Sequence, residues 1–165
     1  MTNKIALQRR IRYLLIFFIF ALGAAGLTAI PLRWELALLD QWFGVRSILV
    51  HVWPAMSGWI SRVNDSVQNG YGTYPLLAYG TDWLAFAHVV IAVAFIGPLL
   101  DPVRNIWVIE FGMVACALLV PWALIFGLVR EIPSFWTFID MSFGVIGIIP
   151  LWFVRRDILE LEKQS

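Results

Sequence analysis

Four long, nearly uncharged apolar runs divide the chain, at about residues 13–30, 81–100, 106–129 and 134–154. A helix that crosses a bilayer needs about 20 apolar residues, and each run is close to that length. The turns between the last three, DPVRN at 101–105 and REIP at 130–133, are short. Short connections make neighbouring helices run antiparallel. The pattern predicts an all-α integral membrane protein, a four-helix bundle with amphipathic interfacial helices in the first outer loop. The whole of 1–165 is read as a single membrane domain.

The segment 31–80 carries a different pattern. Structureless connections above about 12–15 residues are uncommon, so it must hold elements of its own. Trp34, Leu38, Trp42 and Val45 recur at helical spacing, with Glu35 and Asp40 off that stripe. The stretch 48–60 is apolar but is interrupted by His51, Pro54, Ser57 and Gly58, too short and too broken to cross a membrane. Residues 33–65 are therefore expected to form one or two amphipathic helices at the outer membrane surface. Trp34, Trp42, Trp53 and Trp59 suit that level, because indole prefers the headgroup boundary. The following run, NDSVQNGYGTYPLLAYGTD, is expected to break into turns at its glycines and Pro75.

Composition agrees with a membrane solvent. The chain is 61% hydrophobic and 14% charged, against about 25% charged in a soluble domain. A net charge of +1 gives no reason to expect a nucleic-acid partner. One cysteine, Cys116, excludes an internal disulfide and Cys-X-X-Cys redox chemistry. One Cys and two His supply no recognisable zinc set. The placement of Lys and Arg is more informative than their sum. With the N-terminus inside, eight fall on the cytoplasmic side (Lys4, Arg9, Arg10, Arg12, Arg104, Arg155, Arg156, Lys163) and four outside (Arg33, Arg46, Arg62, Arg130). The positive-inside rule then puts both termini in the cytoplasm, and the expected setting is a bacterial inner membrane. The first run is longer than the usual 7–15-residue core of a signal peptide and is read as a retained helix. The tail RRDILELEKQS is expected to be a turn or two of solvated helix.

Ionisable groups within apolar runs are costly and need a partner or a purpose. His88 shares a helical face with Ala85 and Ala92, and Asp140 with Thr137, Gly144 and Gly147. Ala21, Ala25 and Ala29 form a small-residue seam on the first run. At 1.5 Å per residue, His88 lies about 4 Å and Asp140 about 6 Å outside the middle of their runs, so a contact between them is allowed. His88, Asp140, Thr137 and Asp82 form the candidate polar pocket, with Asp82 also placed to serve the N-terminus of the second run. Glu110 lies about 11 Å inside the middle of its run, within reach of Arg104, Arg155, Arg156 or Arg12. Glu110, Asp101, Arg104 and Arg155 form a candidate inner-side charge cluster.

No catalytic signature accompanies these groups: the chain has no G-x-S-x-G, no H-E-x-x-H and no phosphate loop. Gly70-Tyr71-Gly72 lacks the small β-branched residues that precede a potassium filter. The expected function is a non-enzymatic membrane module that binds membrane lipids, a membrane protein partner or a second copy of itself. A transporter or proton-relay component using His88 and Asp140 is the alternative. A haem-binding electron carrier with His51 and His88 as axial ligands is the third reading; otherwise no cofactor is expected.

Overall fold

The computed structural model describes Thr2–Gln164, with side chains from residue 4 onward. Every regular element among the described residues is helical: α1 Thr2–Leu27, α2 Leu32–Phe43, α3 Leu49–Val52, α4 Pro54–Thr73, α5 Pro75–Ala94, α6 Ile96–Leu100, α7 Ile106–Val129 and α8 Ser134–Lys163. Four stretches, Lys4–Leu27, Pro75–Leu100, Ile106–Val129 and Ser134–Lys163, are long and apolar enough to cross a membrane. The chain divides into two compact units, Met1–Ala21 with Ile91–Ser165, and Leu22–Val90.

Prolines set several boundaries. Pro75 is the first residue of α5, where its missing N–H costs nothing and its fixed φ suits a helix. The residue before it, Tyr74, is pushed out of the helical region to φ −129°. The break between α4 and α5 is therefore a single residue, and the series of turns expected from 64 to 82 is absent. Gly70 and Gly72 are absorbed into the end of α4 and Gly80 into α5. The second apolar helix thus begins six residues before the expected 81. Pro98 acts on its other end. It offers no N–H to the carbonyl of Ala94, and the helix re-forms as α6 after Phe95.

In the first unit α7 packs along α8. The seam depends on glycine. A Cβ on Gly144 would lie 2.5 Å from the carbonyl oxygen of Cys116, and one on Gly127 would lie 2.7 Å from Thr137 Oγ1. Such close approach at small residues is how helices associate where lipid removes the hydrophobic drive between them. Leu151, Val154, Ile158 and Leu161 are buried on one face of α8, and Leu7, Ile11 and Leu15 on one face of α1. The buried face of α8 runs straight through the charged tail. The expectation of a solvated tail is corrected here: α8 is one helix to Lys163, and Asp157 is 1% exposed. The apolar residues 151, 154, 158 and 161 keep the helical period past Arg155 and Arg156, so the charges on either side do not end the packing face.

Asp157 survives burial because Arg10 of α1 reaches it with two guanidinium nitrogens, Nε and Nη2, one to each carboxylate oxygen. Arg156 Nε adds a weaker approach at 3.6 Å. An arginine fork matches a carboxylate in shape as well as charge. Removing Arg10 leaves a buried carboxylate without its main partner, whereas removing both charges leaves an apolar contact. Arg10→Ala is expected to destabilise the protein by on the order of 2 kcal/mol, a figure reduced because the arginine side chain is 48% exposed. The double variant Arg10→Met/Asp157→Leu should recover most of that loss. Thermal unfolding in detergent would decide; equal losses in the single and double variants would refute the account.

Candidate functional site

The second unit has few buried apolar side chains, namely Leu36, Ile60 and Ala85. Its α2–α4 pair is joined by polar groups instead. Ser57, Ser61, Asn64 and Gln68 follow one another at i, i+4, i+7 and i+11 along α4, one face of a helix. Arg33 and Asp40 answer them from α2. Gln68 donates to Arg33 O at 2.7 Å and to Asn64 Oδ1 at 3.1 Å, and accepts from Arg33 Nε at 3.0 Å. Asn64 donates to Asp40 Oδ2 at 3.4 Å. Ser61 donates to Asp40 Oδ1 and accepts from the backbone N–H of Val45 at 3.0 Å. Gly44 permits this closure: any Cβ there would collide with Asp40 and come within 2.7 Å of Ser61 Oγ. Ser57 is fully buried, and its hydroxyl finds no partner among the described residues.

The outward faces of the pair differ. Trp34, Trp42 and Phe43 on α2, and Val52 on α3, are exposed. On α4 the exposed positions are Pro54 and Ala55 in its first turn, Gly72 and Thr73 at its end, and Arg62, Asp65, Ser66 and Asn69 between them. The hairpin therefore has a polar seam, an α2 side that exposes Trp34, Trp42 and Phe43 along with Arg33 and Gln41, and an α4 side whose middle is hydrophilic. The tryptophan stripe was legible from its spacing. The seam was not singled out, although Ser57, Ser61, Asn64 and Gln68 carry the same period; the intervening Gly58, Arg62 and Asp65 hide it.

The predicted polar residues are distributed as follows. His88 lies on α5 in the second unit, and its Nδ1 donates to Leu84 O at 2.8 Å, because a carbonyl can only accept. The small residue against it is Gly26, where any Cβ would collide with the Cβ of His88 and lie 3.1 Å from Ala85 O. Ala21 and Ala25 are exposed, which corrects the expected alanine seam: glycine alone admits the approach. Asp82 is exposed, two turns inside α5, because that helix starts at Pro75 and not at 81. His51 is exposed on the four-residue α3.

Asp140 belongs to the first unit. It borders a cleft of about 390 Å³ together with Arg130, Trp122, Phe126, Gly127 and Phe143. No residue of its own unit hydrogen-bonds or pairs with it among those described. Thr137 is buried one turn earlier, its hydroxyl turned back to Pro133 O at 3.4 Å. Of the partners open to Glu110, the structure gives it Arg155, at 2.9 Å on a half-exposed surface. Asp101 caps its own turn, accepting the Arg104 N–H at 3.2 Å. The four members of the proposed inner cluster thus form two separate local contacts. Among the described residues, no three His, Cys, Asp or Glu side chains gather to hold a metal ion.

Removing the Ser61 hydroxyl takes a donor from Asp40 and an acceptor from Val45. Ser61→Ala is expected to loosen the hairpin by roughly 1–2 kcal/mol, read as faster amide exchange at Val45 and through α4. Ser66→Ala, whose hydroxyl only returns to Arg62 O at 2.7 Å, should leave exchange unchanged. Comparison with known proteins finds no family model, no curated protein and no solved structure that matches this chain.

Proposed function

We propose that the chain is a non-enzymatic, multi-pass membrane module whose α2–α4 hairpin lies on a bilayer surface, with α2 and α3 against lipid and α4 against water. The reading rests on the three-way division of the hairpin: polar ladder within, tryptophans on one side, Arg62, Asp65 and Asn69 on the other. A soluble hairpin buries chiefly apolar side chains between its helices; here buried Leu36 and Ile60 are accompanied by the hydrogen-bonded Asp40, Ser61, Asn64 and Gln68. Indole side chains at the headgroup level supply the anchoring. The excess of Lys and Arg at the two ends of the chain supports four crossings with both termini in the cytoplasm and the hairpin outside.

A second reading has its own observation. Asp140 borders a cleft with Arg130, and its unit provides it no hydrogen bond. An intramembrane carboxylate of this kind marks a proton or solute path.

The two readings are tested separately. In a Cys116→Ser background, nitroxide labels at positions 34 and 42 should be relieved by oxygen dissolved in lipid. Labels at 62 and 65 should be relieved by a water-soluble nickel chelate. Equal nickel access at all four positions would end the hairpin proposal. For the relay, proteoliposomes should dissipate a pH gradient, and Asp140→Asn should slow this at least about tenfold, the effect expected of removing a proton-transfer group, while Asp82→Asn changes little. Liposomes as tight as protein-free controls would end the second reading.

A further inference from the structure

The amino-terminal turns of α1 hold three arginines with different fates. Arg10 is bound to Asp157. Arg9 and Arg12 have no hydrogen bond or ion pair among the described residues. They are three residues apart and point to one side of the helix. That side borders a cleft of about 430 Å³, which Tyr13 and Gln8 complete on α1 and Leu99, Leu100 and Pro102 complete from α6 and the turn after it. All of these residues belong to the first unit.

The lining has two chemistries in adjacent places. Arg9 and Arg12 offer two guanidinium forks with no carboxylate in the lining. The nearest acid in sequence, Asp101, is not among the lining residues and accepts the Arg104 N–H. Beside the forks, Leu100 is 81% exposed and Ile5 is 56% exposed. A free phosphate would use the forks and leave Leu100 and Ile5 bare. A hydrocarbon chain would use the leucine and leave two cations unmatched. A phospholipid uses both. The position fits as well: Leu99 and Leu100 end one apolar stretch, and Arg12 and Tyr13 begin the apolar part of another, the level at which headgroups lie.

We propose that this cleft binds an anionic glycerophospholipid, its phosphate held by Arg9 and Arg12 and its acyl chains lying over Leu99, Leu100 and Ile5. Arginine forks take phosphate oxygens in pairs, and basic pockets of membrane helices are known recognition sites for anionic headgroups. The burial of Asp157 gives this site its character. By taking Arg10 to the other side of α1, it leaves the two flanking arginines on the cleft side with no internal acid to satisfy them. The proposal does not depend on the hairpin reading.

The test uses the full chain in nanodiscs. Native mass spectrometry would measure the phosphatidylglycerol retained against phosphatidylcholine from an equal mixture. The wild-type protein should retain the anionic lipid in preference. Arg9→Gln/Arg12→Gln should lower that preference by roughly fivefold per arginine, about 25-fold in all, the effect of a basic residue at a lipid surface. Lys4→Gln/Arg104→Gln removes the same charge from outside the lining and should lower it clearly less. An equal loss in the two double variants would mean a diffuse surface field and would overturn the site. Leu100→Ser separates the sources: it should weaken lipid retention while leaving any shift of the unfolding midpoint by inorganic phosphate unchanged. If inorganic phosphate raises the midpoint as much as the lipid does, and Leu100→Ser is without effect on retention, the lipid assignment fails. Both arginines are exposed, so the variants should fold, and an unchanged circular-dichroism spectrum would establish it.

Discussion

A single buried carboxylate organises the first unit. Asp157 sits at the centre of the α8 packing face, between Val154 and Ile158, both of which are at most 1% exposed. An unpaired carboxylate there would cost several kcal/mol, so α1 must present Arg10 at that level. The pair fixes both the axial position and the rotation of α1 against α8, since a fork–carboxylate match tolerates little of either. Leu7, Ile11 and Leu15 then fall on the same side of α1 as the pair requires, at the fourfold spacing that a straight helical stripe allows.

The two units solve the polar-group problem differently. The first concentrates it in one ion pair within an apolar interior and closes α7 on α8 through glycines. The second spreads it over a ladder in which each group satisfies the next: Val45 N–H to Ser61, Ser61 to Asp40, Asn64 to Asp40, Gln68 to Asn64 and to Arg33. A ladder of this kind specifies register, because sliding α4 by one turn unpairs every rung. It also releases the outer face of α2 from any packing duty, leaving its tryptophans for the surroundings.

The parts of this fold legible in the sequence were those set by long-range periodicity without competing signals. The third apolar run coincides with α7, and the fourth begins where α8 begins, because Asn105 and Pro133 flank them with short turns. The legibility failed where one residue type carries two meanings. Glycines and Pro75 looked like punctuation for a loop, yet Pro75 starts a helix, and Gly70, Gly72 and Gly80 are tolerated inside helices. Arg155, Arg156 and Asp157 looked like a solvated tail, although Ile158 and Leu161 preserved the stripe. Gly26 was passed over for the alanines around it. The decisive quantity was a backbone distance, Gly26 against Ala85 and His88, and no pattern of residue types encodes that distance.

The exterior carries the same logic outward. Large apolar side chains such as Phe20, Trp83, Trp107, Trp122, Phe138 and Ile146 are exposed along the long helices, as expected where lipid is the solvent. Against such a surface an exposed charge is informative, because it needs a partner or a wet boundary. Arg155 and Glu110 answer each other, Asp101 answers its own turn, and Arg10 answers Asp157. Arg9 and Arg12 are among the charges left over after that pairing, and they lie side by side next to bare leucine. The proposed occupant of that cleft, a phosphate with hydrocarbon attached, carries both halves of the chemistry that the two arginines and the leucine leave open.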